Sequence, residues 1–253
     1  METTNAERFD RMLKLTTSLL FEKERSFFRC DETSRKPKRL VEIGSGNGYY
    51  LSQLVKDRPN ATATGLEMSE ALYPYTLPYV HDRLQFIQTT YESYQPEAPF
   101  DTVLCRLVID HLASRSHLYQ WIRRHTTPQA SLWIIDIEDI ACHAFDALPA
   151  YSALFVRERR RIRPGGLFSL KQRLRAELME VGFVEEEQMS YDLTHHHPDQ
   201  KQQLYTYLRL SAQLMHDNQA QLDKIEQELQ EWLTDVHSTL SIPMFAMQWR
   251  RRN

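Results

Sequence analysis

The chain of 253 residues carries 31 basic and 34 acidic side chains, a near balance with a formal charge of -3 that offers a polyanion no attractive field. Hydrophobic residues at 42% and charged residues at 26% match ordinary globular usage and exclude a disordered chain. The three cysteines, Cys30, Cys105 and Cys142, form no CxxC pair, and no apolar run has signal-peptide or membrane-spanning length, so the sequence predicts a cytoplasmic protein with one sizeable core, no disulfide framework and no membrane partner.

From Ala6 to Phe28 the residues Phe9, Met12, Leu13, Leu19, Leu20, Phe27 and Phe28 recur at helical spacing, which predicts an N-terminal helical segment within 1–38. A polar connector with Pro37 leads into a main domain expected over 39–253. There short apolar runs alternate with helical patterns: RLVEIG, YYLSQLVKDR, ATATGLE, LQFIQ, DTVLCRLVI, a helix around HLYQWIRRH, and SLWIIDIED. This alternation implies βαβ units, hence parallel strands with right-handed crossovers.

Beyond Asp139 the basic run Arg157 to Arg163 reads as a solvated helical face interrupted by core residues, stopped by Pro164, Gly165 and Gly166. A helix, LKQRLRAELMEVGF, ends at Gly182, and the strand FVEEEQMSYDL, an HHHP turn, a polar helical region from Gln200 to Val236 and a closing strand SIPMFAMQW complete the chain. Leu222, Ile225, Leu229, Trp232 and Leu233 form one stripe, read as a face packed on the domain with a dimer seam as the alternative. Monomer and homodimer both stay open.

The segment VEIGSGNG joins a predicted strand to a predicted helix, placing Glu42, Gly44, Ser45, Gly46 and Gly48 where the backbone turns tightly and free N–H groups meet a polar ligand. A dinucleotide fingerprint needs glycine where Tyr49 stands, and a P-loop needs Gly-Lys-Ser/Thr; neither is present. An acidic residue followed by GxGxG resembles the class I S-adenosylmethionine-dependent methyltransferases of small-molecule type.

That resemblance, spread over Ala6 to Asp139 and the two closing strands, implies an α/β, Rossmann-like sheet of seven mostly parallel strands with an antiparallel last strand, and a helical lid insertion at about 198–237. It also implies S-adenosyl-L-methionine as cofactor, S-adenosyl-L-homocysteine as product, no metal, and a small-molecule methyl acceptor. Glu67, at the tip of ATATGLE, is then expected to accept the ribose hydroxyls, with Met68 against the adenine or in the core. Where relatives carry an acidic adenine reader this chain has Thr90 and Tyr91, and VLCRLVIDHLAS places Arg106 and His111 at the carboxyl ends of the strands.

A base for an acceptor that must lose a proton is sought in His111, Tyr191 or His195, while a local capping role for His111 is the alternative. Tyr73, Tyr75 and Tyr79 are read either as cavity lining or as packing. Adjacent His195, His196 and His197 point in different directions, and Asp136, Glu138 and Asp139 lack an accompanying magnesium pattern, so no metal site is expected. Two other functions compete: an RNA or protein methyltransferase using the basic run, and a protein that keeps the cofactor pocket without transferring methyl groups.

Overall fold

The computed structural model of the chain describes residues 4–27, 38–138, 145, 147–162, 169–216 and 218–252. In chain order the elements are α1 (Asn5–Phe27), β1 (Lys38–Ile43), α2 (Tyr49–Lys56), β2 (Ala61–Glu67), a 3-10 helix (Tyr73–Tyr79), β3 (Leu84–Gln88), β4 (Phe100–Arg106), α3 (Arg115–His125) and β5 (Thr126–Ile137). There follow α4 (Pro149–Ile162), α5 (Leu170–Glu180), β6 (Phe183–Thr194), α6 (Pro198–Met215), α7 (Gln219–Thr234) and β7 (Ser241–Arg251). Phe28, Cys30, Pro37, Asp139, Cys142, Arg163, Pro164, Gly165 and Gly166, all drawn into the sequence reading, lie outside the described residues.

Seven strands form one sheet in the order β3-β2-β1-β4-β5-β7-β6. Parallel pairs join β1 to β2 and β4, β2 to β3, and β4 to β5, and the last strands are antiparallel, as the alternation of elements and the resemblance imply. Residues 40–43 of β1 and 102–106 of β4 are buried without alternation, because helices covering both faces of a parallel sheet leave no solvated side. Strand order reverses between β1 and β4, which opens a crevice at their carboxyl ends where doubly wound sheets take ligands.

Two compact units divide the chain. One comprises Phe21–Asp136, Lys171–Met189 and Phe245–Asn253, with Leu51, Leu54, Val103, Leu104, Trp133, Ile134, Phe245 and Trp249 fully buried. The other comprises Met1–Leu20, Ile137–Leu170 and Ser190–Met244 and contains α4, α6 and α7. In the latter, Glu228 of α7 accepts the N–H groups of Ala150 at 2.8 Å and Tyr151 at 3.3 Å, which satisfies the free N-terminal donors of α4. Ile225, Leu229 and Trp232 are buried, so the α7 stripe packs on its own chain, each side chain contributing roughly 1.5–3 kcal/mol.

The polar helical region consists of two helices, α6 and α7. His216 leaves helical geometry, and the Asn218 side chain accepts the Gln221 N–H at 3.2 Å to start α7 afresh. In the basic run Arg157, Arg160 and Arg161 are exposed, while Arg159 is buried and lies 5.9 Å over the Phe155 ring. No helix among the described residues is long and apolar enough to cross a membrane.

Candidate active site

After Ile43 the chain turns through Gly44, Ser45, Gly46, Asn47 and Gly48 into α2, with φ of 67° at Gly44, 57° at Gly46 and 75° at Gly48. These are left-handed conformations that a Cβ disfavours. At Gly44 the neighbour adds to this, since a Cβ would stand 2.6 Å from Val108 Cγ2. At Gly46 the turn presents the backbone N–H to Glu67, whose Oε2 accepts it at 2.8 Å.

Glu67 holds the glycine loop to the tip of β2. Its second oxygen accepts the Ser69 N–H at 2.7 Å, and its carbonyl accepts the Thr89 N–H at 3.1 Å. Burial raises its carboxyl above the ordinary range, with the N–H groups of Ser69, Gly46 and Met68 pulling it back. A carboxylate offers about four acceptor directions, so these backbone donors leave capacity for a ligand hydroxyl.

Glu42, at the end of β1, is 2% exposed, and its Oε2 has no hydrogen-bond partner among the described residues. Burial pushes its carboxyl up to about 8, with Glu67 and Glu24 adding to the effect and the Arg106 guanidinium opposing it. Ser45 Oγ and the Tyr50 hydroxyl are likewise buried and unpartnered. A buried polar atom left unsatisfied costs about 1–3 kcal/mol. Three around one loop form a set that a polar ligand would satisfy, and a carboxylate, a hydroxyl and a phenol suit the amino, carboxylate and hydroxyl groups of S-adenosylmethionine.

The remaining cofactor candidates divide. Met68 is 72% exposed beside this loop, which removes the core alternative. Thr90 hydrogen-bonds Ser93 through its hydroxyl and accepts the Ser93 N–H, both at 3.4 Å, so its oxygen closes a local turn. Tyr91 corrects the sequence reading: it is buried, its hydroxyl donates to the Ser114 carbonyl at 3.2 Å, and its ring meets Trp121 edge-on at 6.2 Å, which commits it to packing.

Arg106 is also committed elsewhere. Its Nε donates to Glu24 Oε2 at 2.9 Å, and its guanidinium lies 4.2 Å over the Tyr50 ring. Leu107, next in line, has φ of 55° and donates its N–H to the Ile135 carbonyl at 2.8 Å. A leucine held in the left-handed region is strained, and such strain concentrates at functional sites.

His111 is exposed in the turn after β4, where its N–H donates to the Val108 carbonyl at 2.9 Å. Tyr73 donates from its hydroxyl to the Phe86 carbonyl at 3.4 Å, and Tyr79 packs 5.9 Å from Tyr49, so these two tyrosines of the 3-10 helix pack within the unit. Sequence reasoning missed Glu24 and Tyr50. Glu24 was findable: it stands between Leu20 and Phe27 on the apolar stripe of α1, where a carboxylate needs a partner.

Tyr191 and His195 belong to the helical unit. Tyr191 is half-buried on β6, and His195 follows the strand with Nδ1 buried and unpartnered. The His195 ring is 5.4 Å edge-on from Trp232, and Lys201 Nζ stands 4.8 Å from the same indole while donating to the Asp235 carbonyl at 2.5 Å. Burial, then the charge of Lys201, holds the imidazole below its ordinary range. His197 caps α6 by accepting the Gln200 N–H at 3.4 Å, and Glu138 accepts the Ser169 hydroxyl at 3.1 Å and the Leu170 N–H at 3.2 Å. Among the described residues no group of three or more His, Cys, Asp or Glu is placed to hold a metal ion.

The profile of a family described as a methyltransferase domain matches residues 8–214. Curated protein sequences give no match. Solved structures do. Phosphoethanolamine N-methyltransferase 2 of Haemonchus contortus, in complex with S-adenosyl-L-methionine, superposes with a TM-score of 0.60 at 16% identity over 99% of this chain and 58% of that one. YjhP of E. coli gives 0.60 at 15% identity over 96% of this chain and 100% of that one. The plantazolicin methyltransferase BpumL, bound to a desmethyl analogue and S-adenosylhomocysteine, gives 0.53 at 15% identity over 97% and 86%. With the profile spanning most of its length and the glycine loop, Glu42 and Glu67 in place, the chain belongs to the methyltransferase domain family and is an S-adenosylmethionine-dependent methyltransferase.

Proposed function

We propose that this enzyme methylates an O, N or C nucleophile of a small molecule. The observation that carries the reading is the set of unpartnered buried atoms, Glu42 Oε2, Ser45 Oγ and the Tyr50 hydroxyl, around a left-handed glycine loop at the reversal of strand order. When bound, S-adenosylmethionine supplies an activated methyl group on a sulfonium centre.

The chain's own residues then bind, orient and exclude water. Glu67 keeps Gly46 in place while its free lone pairs take hydroxyl hydrogens, and Glu42 offers its buried carboxyl to the polar groups of the cofactor. For an acceptor that must lose a proton, His111 at the carboxyl end of β4 is the proposed base, ahead of Tyr191 and His195. Small acceptors are favoured by the near-neutral charge and by the burial of Arg159, which removes one cation from the run offered to RNA. Two of the similar structures bear names that put the methyl group on phosphoethanolamine and on plantazolicin.

Calorimetry with S-adenosylhomocysteine and NAD tests the cofactor side: the former should bind and the latter should not, since Tyr49 breaks the dinucleotide spacing. Binding of NAD alone would overturn the reading.

A further inference from the structure

The helical unit contains a cavity of about 370 Å³ between the first turns of α1 and the length of α6. Arg8 and Arg11, three residues apart on α1, and Arg209 of α6 line it together with Gln202, Tyr205 and Gln213. Among the described residues no carboxylate lines this cavity. Three guanidinium groups facing one concavity present a positive potential that attracts an anion.

The charges there are unequally balanced. Arg209 is paired with Glu226 at 3.0 Å, and Tyr205 donates to the same carboxylate at 2.5 Å. Arg8 donates only to a neutral group, the Asn5 side-chain oxygen, at 2.9 Å, and Arg11 makes no ion pair with any described residue. Arg8 and Arg11 are thus the two cations of the first cavity without an ion pair, and the carboxylates of Asp223 and Glu226 stand only on the side of the second cavity, beyond Arg8 and Arg209. A carboxylate ligand would balance one of the two cations, whereas a phosphomonoester carries about -1.5 to -2 near neutral pH and presents three oxygens to the forked guanidinium donors.

A second cavity of about 530 Å³ shares Arg8, Arg209 and Gln213 with the first and continues past Ala212, Leu222, Ile225 and Leu229, with the carboxylates of Asp223 and Glu226 also on its wall. Together the two have the dimensions of a small-molecule site, about 300–1,000 Å³, with a cationic end and a partly apolar continuation. We infer that this site binds a phosphomonoester of a small molecule, its phosphoryl group among Arg8, Arg11 and Arg209 and its body along α6 and α7.

The inference does not require the methyl-transfer reading, and one set of titrations separates them. Phenyl phosphate, benzoate and inorganic phosphate are titrated calorimetrically into the full chain and into R8Q/R11Q, with R161Q on α4 as a surface control, and melting curves confirm folding of each. Phenyl phosphate is expected to bind most tightly of the three, to weaken as salt rises, and to lose at least tenfold in R8Q/R11Q while R161Q stays within twofold. An unchanged affinity in folded R8Q/R11Q, an equal loss in R161Q, or benzoate or inorganic phosphate binding as tightly as phenyl phosphate would each overturn it. Should R8Q/R11Q fold poorly, R11Q alone serves, with a severalfold loss expected and none overturning. S-adenosylhomocysteine, titrated alongside, should bind wild type and R8Q/R11Q equally; its failure to bind wild type would count against the methyltransferase reading and leave this site standing.

Discussion

Replacing Glu24 by glutamine tests the electrostatic frame under the glycine loop. The side chains of Arg106 and Glu24 are only 4% and 0% exposed, so the substitution keeps the volume and leaves a buried guanidinium without its counter-charge. Losing one partner of such a pair costs about 3–5 kcal/mol. The Tyr50 face, 4.2 Å from the guanidinium, offsets up to about 2 kcal/mol of that. At about 2–4 °C per kcal/mol for a chain of this size, E24Q should melt about 2–20 °C below wild type, read by circular dichroism. The double variant E24L/R106M should recover most of the loss, because an apolar pair of similar volume carries no desolvation cost. A melt of E24Q within about 1 °C of wild type, or losses that simply add in the double variant, would refute the pairing as a structural element.

Three further outcomes are expected. Ala at position 67 should weaken S-adenosylhomocysteine binding about tenfold to a hundredfold by calorimetry, since a charge-assisted acceptor and the tether on Gly46 go together; equal affinity would show that the cofactor avoids β2. G44A should lower the urea midpoint, by strain of about 1–2 kcal/mol from the left-handed φ plus the approach to Val108, and G44A/V108A should restore only the second part. Glu42 is pushed up to about 8 from 4.5, so the folded chain holds a proton that the unfolded chain releases. Its contribution is complete below 4.5 and is lost as pH rises through 8, and E42Q should therefore gain on wild type between pH 5 and pH 9 in urea unfolding; parallel pH profiles would sink this assignment.

The sheet was legible because buried parallel strands announce themselves. RLVEIG, ATATGLE and DTVLC are short continuous apolar runs, and each falls on or within one residue of an observed strand. The glycine loop was legible because its φ values tolerate little besides glycine. What escaped depended on partners distant in sequence. Arg106 reads as a ligand-facing residue at a strand end until Glu24, 82 positions away, is placed against it. Tyr91 reads as an adenine neighbour until the Ser114 carbonyl accepts its hydroxyl.

The contact of His195 with Trp232 gives the helical unit a spectroscopic voice of its own. An imidazolium quenches indole emission far more than a neutral imidazole does, and here the ring meets the indole edge-on at 5.4 Å while Lys201 already stands 4.8 Å from it. Because burial and that ammonium hold His195 below the ordinary histidine range, the indole stays bright through neutral pH and dims only in more acidic solution. Trp121, Trp133 and Trp249 lie in the sheet unit, and Trp121 has His125 at 4.9 Å, so only the part of the acid quench that H195Q abolishes reports on the helices. Any ligand that settles near that histidine can then be followed by light, without isotope, label or turnover.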